Sequence, residues 1–375
     1  MVERQFDILV IGATGYTGRL IIEYLANHSR ASSLRIALGG RTISKVQELA
    51  RKYQNIDAVY LDVSKERTVE EAIAKTRVVI NIAGPYWTRG SVVVRACARN
   101  GVHYLDLTGE APWVAKIIEE YDYLAHKNRA CIVPCSGYDS IPSDIAAYLF
   151  FEEVPREYRL KGVGWGLSPV SPPPGYQPVP KILYSLPYVK PTIWGGYFFM
   201  NSINAPIVRR SWGLRHYTLP AFSRPTFSYT EFHNTGSSRI KGALLSLGIM
   251  SVMAGLASFP PFRWFLKWMM PKSGQGPSLD RLDRGKFEVV NIAEGGGVVV
   301  KSWAHGDGDP GYRLTSIMIV ESALLLLDPE NLTEIGREGG VLTPSVAYGD
   351  ALVKVLEGTG RFRFGVEVLE DKKTR

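Results

Sequence analysis

Residues 6–24 read FDILVIGATGYTGRLIIEY, and this stretch decides the fold. Ile8-Leu9-Val10-Ile11 is apolar, rich in β-branched side chains and too short for a helix, so it reads as a strand buried on both faces. Gly12, Gly15 and Gly18 follow at even spacing, and Leu20, Ile21, Tyr24 and Leu25 then recur with helical period. Strand, glycine turn and helix in that order make a phosphate cradle. Gly12 allows the tight turn, Gly15 lets the main chain approach a pyrophosphate, and Gly18 lets the helix pack close on the strand. The string Gly12, Ala13, Thr14, Gly15, Tyr16, Thr17 and Gly18 is therefore expected to hold a dinucleotide, with the helix N–H groups facing the anion. The spacing is GxxGxxG rather than the commoner GxGxxG, so the flanking strand and helix carry the reading.

Working outward, Leu34–Leu38 forms a second strand ending in Gly39-Gly40-Arg41-Thr42. An acidic residue at this tip would bind the ribose 2′-hydroxyl of NAD and repel a 2′-phosphate. None is present, and the planar fork of Arg41 can grip a phosphate, which points to NADP with Thr42 or Ser44 assisting. Asp62, after the strand Ala58–Leu61, stands where adenine is contacted or, equally, where a carboxylate leads a helix. Val78–Ile82 is the next buried strand and runs into Ala83-Gly84-Pro85-Tyr86. Strands alternating with short helices imply a Rossmann-type, doubly wound parallel sheet that binds ligands at its carboxyl edge. Ala83, Gly84 and Pro85 are thus expected beside the nicotinamide ribose, with Tyr86 near the ring.

A helix at Ser91–Arg99 precedes YLDLTGE (104–110), where Thr108 and Glu110 either line the cleft or cap the helix from Trp113. Ile132-Val133-Pro134 leads into CSGYDSIPSD (135–144); Ser140 and Pro142 suit a helix start, which leaves Tyr138 and Asp139 for function. Tyr123 and Lys127 match a Tyr-x-x-x-Lys spacing by chance, and Cys135 has no histidine beside it in sequence to activate it. Tyr86, Tyr138 and Asp139 are the catalytic candidates, the tyrosines as hydrogen-bond or proton donors and an ionised Asp139 as their orienter. No metal-ligand cluster is evident.

With 375 residues, 45% of them hydrophobic, the chain has room for two domains. Three cysteines give no even disulfide framework, and a charged N-terminus entering the first strand at once predicts no targeting peptide and a cytoplasmic protein. The net charge of +8 is uneven: residues 151–270 carry 13 Lys and Arg against 4 Asp and Glu, together with five of the eight tryptophans. Such a surface suits an anionic membrane or an acidic partner, and the absence of any nucleic-acid-binding motif argues against nucleic acid. Residues 1–150 are read as the dinucleotide-binding domain, 151–330 as an α+β substrate domain, and 331–375 as a segment returning to the first. In the middle part, the prolines of 172–191 exclude long helices, while Leu160–Leu167, Thr226–His233, Phe287–Ile292 and Val298–Ala304 read as strands. Thr315–Leu327 and Val346–Leu356 read as helices. Gly242–Phe262 has no charge and is followed by Arg263, Trp264, Lys267 and Trp268, so it reads as an in-plane or hairpin membrane anchor or a tunnel wall in preference to a full span.

GATGYTG, GGRT, NIAGPY, YLDLTGE and GYDSIPSD resemble the saccharopine dehydrogenase-like oxidoreductases. MMPKSGQGPS, GDGDPGY and GGVLTPSVAYGDAL are similar to its trans-acting enoyl reductase branch, so the likeness runs from about Phe6 to Leu356. The resemblance implies a Rossmann domain, an α+β domain before a C-terminal helix, and NADP. It also implies an acyl or polyketide substrate, carried on CoA or an acidic carrier protein. A membrane or lipid-droplet surface and a homo-oligomer are further expectations. The alternatives are a membrane-bound Rossmann protein without turnover and a saccharopine-type amino-acid dehydrogenase; the latter would need arginines such as Arg209, Arg210 and Arg215 to hold carboxylates.

Overall fold

The structure, a computed structural model, describes residues 4–153, 167–170, 180–186, 188–217, 227–269, 274–295 and 297–371. The expected strand at Leu160–Leu167 and the triple proline at 172–174 lie almost wholly outside them.

The first half alternates strand and helix: β1 Phe6–Ile11, α1 Tyr16–Ala26, β2 Ile36–Gly40, α2 Ile43–Ala50, β3 Ile56–Tyr60, α3 Glu66–Ile73, β4 Thr76–Asn81 and α4 Tyr86–Asn100. It continues with β5 His103–Asp106, α5 Ala111–Lys127, β6 Cys131–Val133 and α6 Ile141–Glu153. A middle part holds β7 Tyr184–Leu186, β8 Ile193–Tyr197, α7 Asn201–His216, β9 Phe232–Asn234, α8 Arg239–Ser258, α9 Pro260–Met269 and α10 Leu279–Asp283. The last part comprises β10 Lys286–Gly295, β11 Val298–Asp307, α11 Thr315–Leu326, α12 Glu334–Glu338, β12 Gly340–Val341, α13 Pro344–Tyr348, α14 Asp350–Gly358 and β13 Phe362–Asp371.

Seven parallel strands form one sheet in the order β12-β6-β5-β4-β1-β2-β3. Every residue of β1 is buried, as a strand covered on both faces requires. Its period of two divides the core: Ile8 and Val10 join α1, α2 and α11 on one face, whereas Leu9 and Ile11 join α3, α4 and α5 on the other. The helix α11 is buried over its whole length against α1, so the late part of the chain covers one face of the early sheet.

Among the described residues, the other two sheets are three-stranded and antiparallel, β10-β11-β13 and β7-β8-β9. The Gly-rich hairpin is found as expected, with Gly295 opposite Val298. The expected strand at Thr226–His233 shrinks to β9, and the helix expected over Val346–Leu356 breaks into α13 and α14 at Gly349, whose φ is +53°. The chain does not finish on α14. Instead β13 follows and pairs with β11.

Candidate functional site

The glycine turn is built to close tolerances. At Gly12 the chain turns with φ +90°, and an added Cβ would lie 3.0 Å from the carbonyl carbon of Ile82, so this turn sits against the loop after β4. An added Cβ on Gly18 would lie 2.6 Å from both Gly12 O and Ala13 O, which fixes how closely α1 approaches the turn. Gly15 precedes α1 and offers no capping side chain, leaving the first N–H groups of an 11-residue helix for an anion. A cradle that a single methyl group would fill, open at an uncapped helix start, fits a dinucleotide pyrophosphate. Ala13 is buried beneath the turn, and Thr14 and Thr17 are half-buried around it. Tyr16 gives only its main chain to the cradle, because its hydroxyl donates to Pro277 O and its ring meets Tyr312 edge-on at 5.1 Å.

Arg41 and Thr42 stand exposed at the tip of β2. Arg41 acts on Asp62, whose pKa is lowered chiefly by the Ser64 hydroxyl bond and further by Lys65 and Arg41. Asp62 Oδ1 accepts from Ser64 N–H at 3.0 Å and from Ser64 Oγ–H at 2.7 Å, so its carboxylate shapes the turn ahead of α3. Both candidates thus border one edge of the cleft, with Arg41 the freer of the two.

On the other side of the glycine turn, Ala83 N–H donates to Asn81 Oδ1 at 3.2 Å, and Gly84 and Pro85 are exposed at the mouth. The expectation for Tyr86 is corrected here. The helix α4 starts at Tyr86 rather than at Ser91, and this turns the side chain inward. The phenol donates to Asn81 O (3.1 Å) and accepts from Leu107 N–H (3.3 Å), with its ring on Trp113 at 5.4 Å. Burial, then Asp106, holds its pKa well above the usual phenol value. This phenol braces the ends of β4 and β5 from within, in a buried position. Glu110 is the N-cap residue of α5, where its main-chain oxygen accepts from Trp113 N–H (2.9 Å) and Val114 N–H (3.0 Å), while its two side-chain oxygens accept from Tyr86 N–H (2.8 Å) and Trp87 N–H (2.7 Å), capping α4.

Below this loop lies a carboxyl not singled out in the sequence. Asp106 is fully buried and accepts from Thr108 N–H (3.0 Å), Cys135 N–H (2.9 Å) and Tyr104 Oη–H (2.9 Å). Burial pushes its pKa up to about 7. Cys135 itself is buried with its thiol pKa raised by burial and by Asp106, unsuited to a nucleophile. Tyr123 is exposed on α5, away from the cleft.

Past β6 the chain enters a cavity of about 1260 Å³ walled by β7, β8, β9 and β10. Tyr138, Asp139 and Ser143 line its inner end. Tyr138 is held by its N–H bond to Thr315 Oγ1 (3.1 Å) and by Phe287 edge-on at 5.0 Å, while no bond to its hydroxyl is seen among the described residues. Burial raises its pKa, with Glu231 and Asp139 adding to the effect. Asp139 was expected to be an ionised carboxylate near its ordinary pKa; instead burial raises it.

Facing them is a polar cluster. Glu231 accepts from Asn204 Nδ2 (2.8 Å) and Tyr229 Oη–H (2.8 Å), and burial raises its pKa against those bonds. Asn204 also donates to Ser143 Oγ (3.3 Å), and the Asn291 side-chain amide lies 3.4 Å from Tyr229 Oη. Asn204 Oδ1 and Asn291 Nδ2 are buried without a partner among the described residues, an acceptor and a donor left over in a cavity wall. One sequence signal marked this place: Glu231 is the sole acid between Glu157 and Asp280. No group of residues that could hold a metal occurs among the described residues.

The arginines of the amino-acid dehydrogenase alternative are engaged by main-chain carbonyls. Arg210 is buried on Val341 O (3.0 Å) and Leu167 O (2.7 Å), Arg209 donates to Tyr229 O (2.6 Å), and Arg215 to Ser345 O (3.2 Å).

Residues 8–133 match the saccharopine dehydrogenase NADP binding domain. A trans-acting enoyl reductase of Mycobacterium tuberculosis (strain ATCC 25618 / H37Rv) is 30% identical over a 417-residue alignment that covers 96% of this chain and 97% of that protein. The trans-acting enoyl reductase of Mycobacterium leprae (strain TN) is 29% identical over the same span. Among solved structures, the apo saccharopine dehydrogenase (L-Glu forming) of Saccharomyces cerevisiae shares the fold, with a TM-score of 0.50 at 14% identity, covering 97% of this chain and 100% of that one.

Proposed function

The chain belongs to the saccharopine dehydrogenase-like oxidoreductases, in the trans-acting enoyl reductase branch, and from that premise we propose that it reduces the carbon–carbon double bond of an enoyl thioester in lipid or polyketide assembly. The full-length likeness to relatives named for that activity carries the reading. NADP is the cofactor, and its reduced form supplies the hydride. The turn Gly12–Gly18 would hold the pyrophosphate, Arg41 with Thr42 the 2′-phosphate, and Ala83–Pro85 the nicotinamide ribose.

The cavity suits the substrate. Phe150, Phe198, Phe227 and Phe232 offer apolar wall to an acyl chain, and the volume exceeds that of most small-ligand sites. Hydride addition at the β-carbon leaves negative charge on the thioester oxygen, which requires a hydrogen-bond donor, and the α-carbon then takes a proton. Of the two candidate phenols Tyr86 is buried, which leaves Tyr138 for the proton, and its raised pKa keeps it protonated at neutral pH. Asn291 Nδ2, without a partner among the described residues, is the donor for the oxygen. Asp139 positions Tyr138 from the neighbouring residue.

Two competing classes give different results in one assay. NADPH oxidation is followed with medium- and long-chain 2-enoyl thioesters of CoA and of a carrier protein. Steady oxidation supports the reductase; tight NADPH binding with none of these substrates turned over would favour a Rossmann protein without turnover. Amino-acid oxidation with NADP would favour the saccharopine-type reaction, which the engaged arginines already disfavour.

A further inference from the structure

The helices α8 and α9 form a hairpin whose base is built into the protein and whose remainder is not. At the base, an added Cβ on Gly242 would lie 2.8 Å from Gly195 O, and Tyr197 N–H donates to Ser246 Oγ at 2.7 Å. Gly242 and Ser246 are the two buried residues of α8. From Leu247 onward the helix leaves β8. Ile240, Leu244 (63% exposed) and Leu247 lie on one side of it. At about 100° per residue, Val252, Met253 and Leu256 point the opposite way, and all three are exposed. Phe259 is exposed at the tip. The chain then folds back, with Phe262 against Gly255, so that α9 turns Trp264 (73% exposed), Phe265 and Trp268 (75% exposed) outward.

The most apolar 18-residue window of Arg239–Ser258 has a mean hydropathy of 1.7, yet only 11% of it is buried, the reverse of a core helix. A protein partner covers one face of a helix. Here opposite faces are apolar and open, which calls for a medium that surrounds the hairpin. Leu247–Ser258 gives about 18 Å of helix at about 1.5 Å per residue, close to one leaflet of a hydrocarbon core about 30 Å thick. The return at Pro260 then excludes a span. Charge selects the headgroups. No Asp or Glu occurs in residues 232–279, whereas Arg239 and Lys241 stand at the base and Arg263 on the return helix. Tryptophans on that return helix suit the interface.

We propose that the α8–α9 hairpin inserts into one leaflet of an anionic phospholipid bilayer and holds the protein there without crossing it. The anchor sits on β8, whose Ile193 lines the substrate cavity, so an acyl chain leaving the leaflet has a short path to the site. The inference rests on the two helices alone and stands whether or not the reductase reading holds.

The experiment is flotation of the full-length chain with vesicles of phosphatidylcholine plus phosphatidylglycerol, and with phosphatidylcholine alone. Flotation with the anionic vesicles, reduced several-fold with the neutral ones, is expected. The triple variant Val252→Glu, Met253→Glu, Trp264→Glu should lose at least tenfold in bound fraction while keeping its melting temperature, because all three side chains are exposed. Absence from both vesicle fractions, or flotation indifferent to these substitutions, overturns the proposal. A dimer in light scattering that the same substitutions turn into a monomer, with no flotation, would assign the hairpin to contact between two copies.

Discussion

Gly18→Ala places one methyl group where the structure has no room, and its consequence can be followed to the cofactor. The new Cβ would stand 2.6 Å from two backbone oxygens, Gly12 O and Ala13 O, neither of which belongs to a flexible side chain. Relief to an ordinary contact moves α1 off the turn by roughly 0.6–0.8 Å, and overpacking of this kind costs about 1–3 kcal/mol. The same movement lifts the uncapped N–H groups of α1 away from the pyrophosphate. Losing one charge-assisted bond there costs about 1.5–3 kcal/mol, a rise in Kd of roughly 10- to 150-fold. Titration of NADPH by calorimetry, beside a thermal melt, reads both effects. Gly248→Ala is the control: nothing lies within 4 Å of its added Cβ on α8, and Ala is the better helix former, so binding should not change. If Gly18→Ala binds NADPH as the parent does and melts at the same temperature, the cradle is not the close-packed site described.

Arg41→Ala should erase most of a preference for NADPH over NADH of tenfold or more, leaving NADH binding nearly unchanged; equal affinities in the parent protein would refute the assignment. Tyr138→Phe should slow turnover by about 10²–10⁴-fold at saturating NADPH, whereas Tyr86→Phe, which breaks two bonds to backbone, should chiefly lower the melting temperature. The reverse pattern in kinetics would remove Tyr138 from the chemistry. Asp106 has its pKa raised from 3.8 to about 7, so its contribution to stability is full below the unfolded value and is lost as pH rises through that window. Asp106→Asn should therefore show a shallower fall in stability between pH 4 and 7 than the parent, and an unchanged slope in denaturant melts would count against the assigned shift.

The sheet was legible because its signals are local. A buried run, a glycine turn and a periodic helix lie within residues 6–24, and each later strand repeats the pattern. The cavity cluster was not legible, since Ser143, Asn204, Glu231 and Asn291 come from four separate stretches joined only by tertiary packing. Tyr86 failed for a finer reason. A helix start five residues earlier than expected rotates its side chain from the mouth to the interior, and helix starts are set by caps such as Glu110 that act from another loop. The raised pKa values of Asp139 and Asp106 follow from burial, which spacing along a chain does not report.

The pairing of β12 with β6 bears on how the chain is made. Gly340 N–H donates to Ala130 O (2.9 Å) and Leu342 N–H to Ile132 O (2.8 Å), and Asp122 holds Val341 N–H at 2.7 Å. The outer strand of the first sheet is therefore supplied by residues translated roughly 200 positions later, about 10–40 s at ribosomal rates of about 5–20 residues per second. Over that interval the flank of β6 is an unpaired strand edge, the kind of surface that templates aggregation. Helix α11, which covers one face of the same sheet, also emerges late. A ribosome stalled in the middle third would thus hold a nascent sheet with a bare edge and a bare face, a ready client for chaperones.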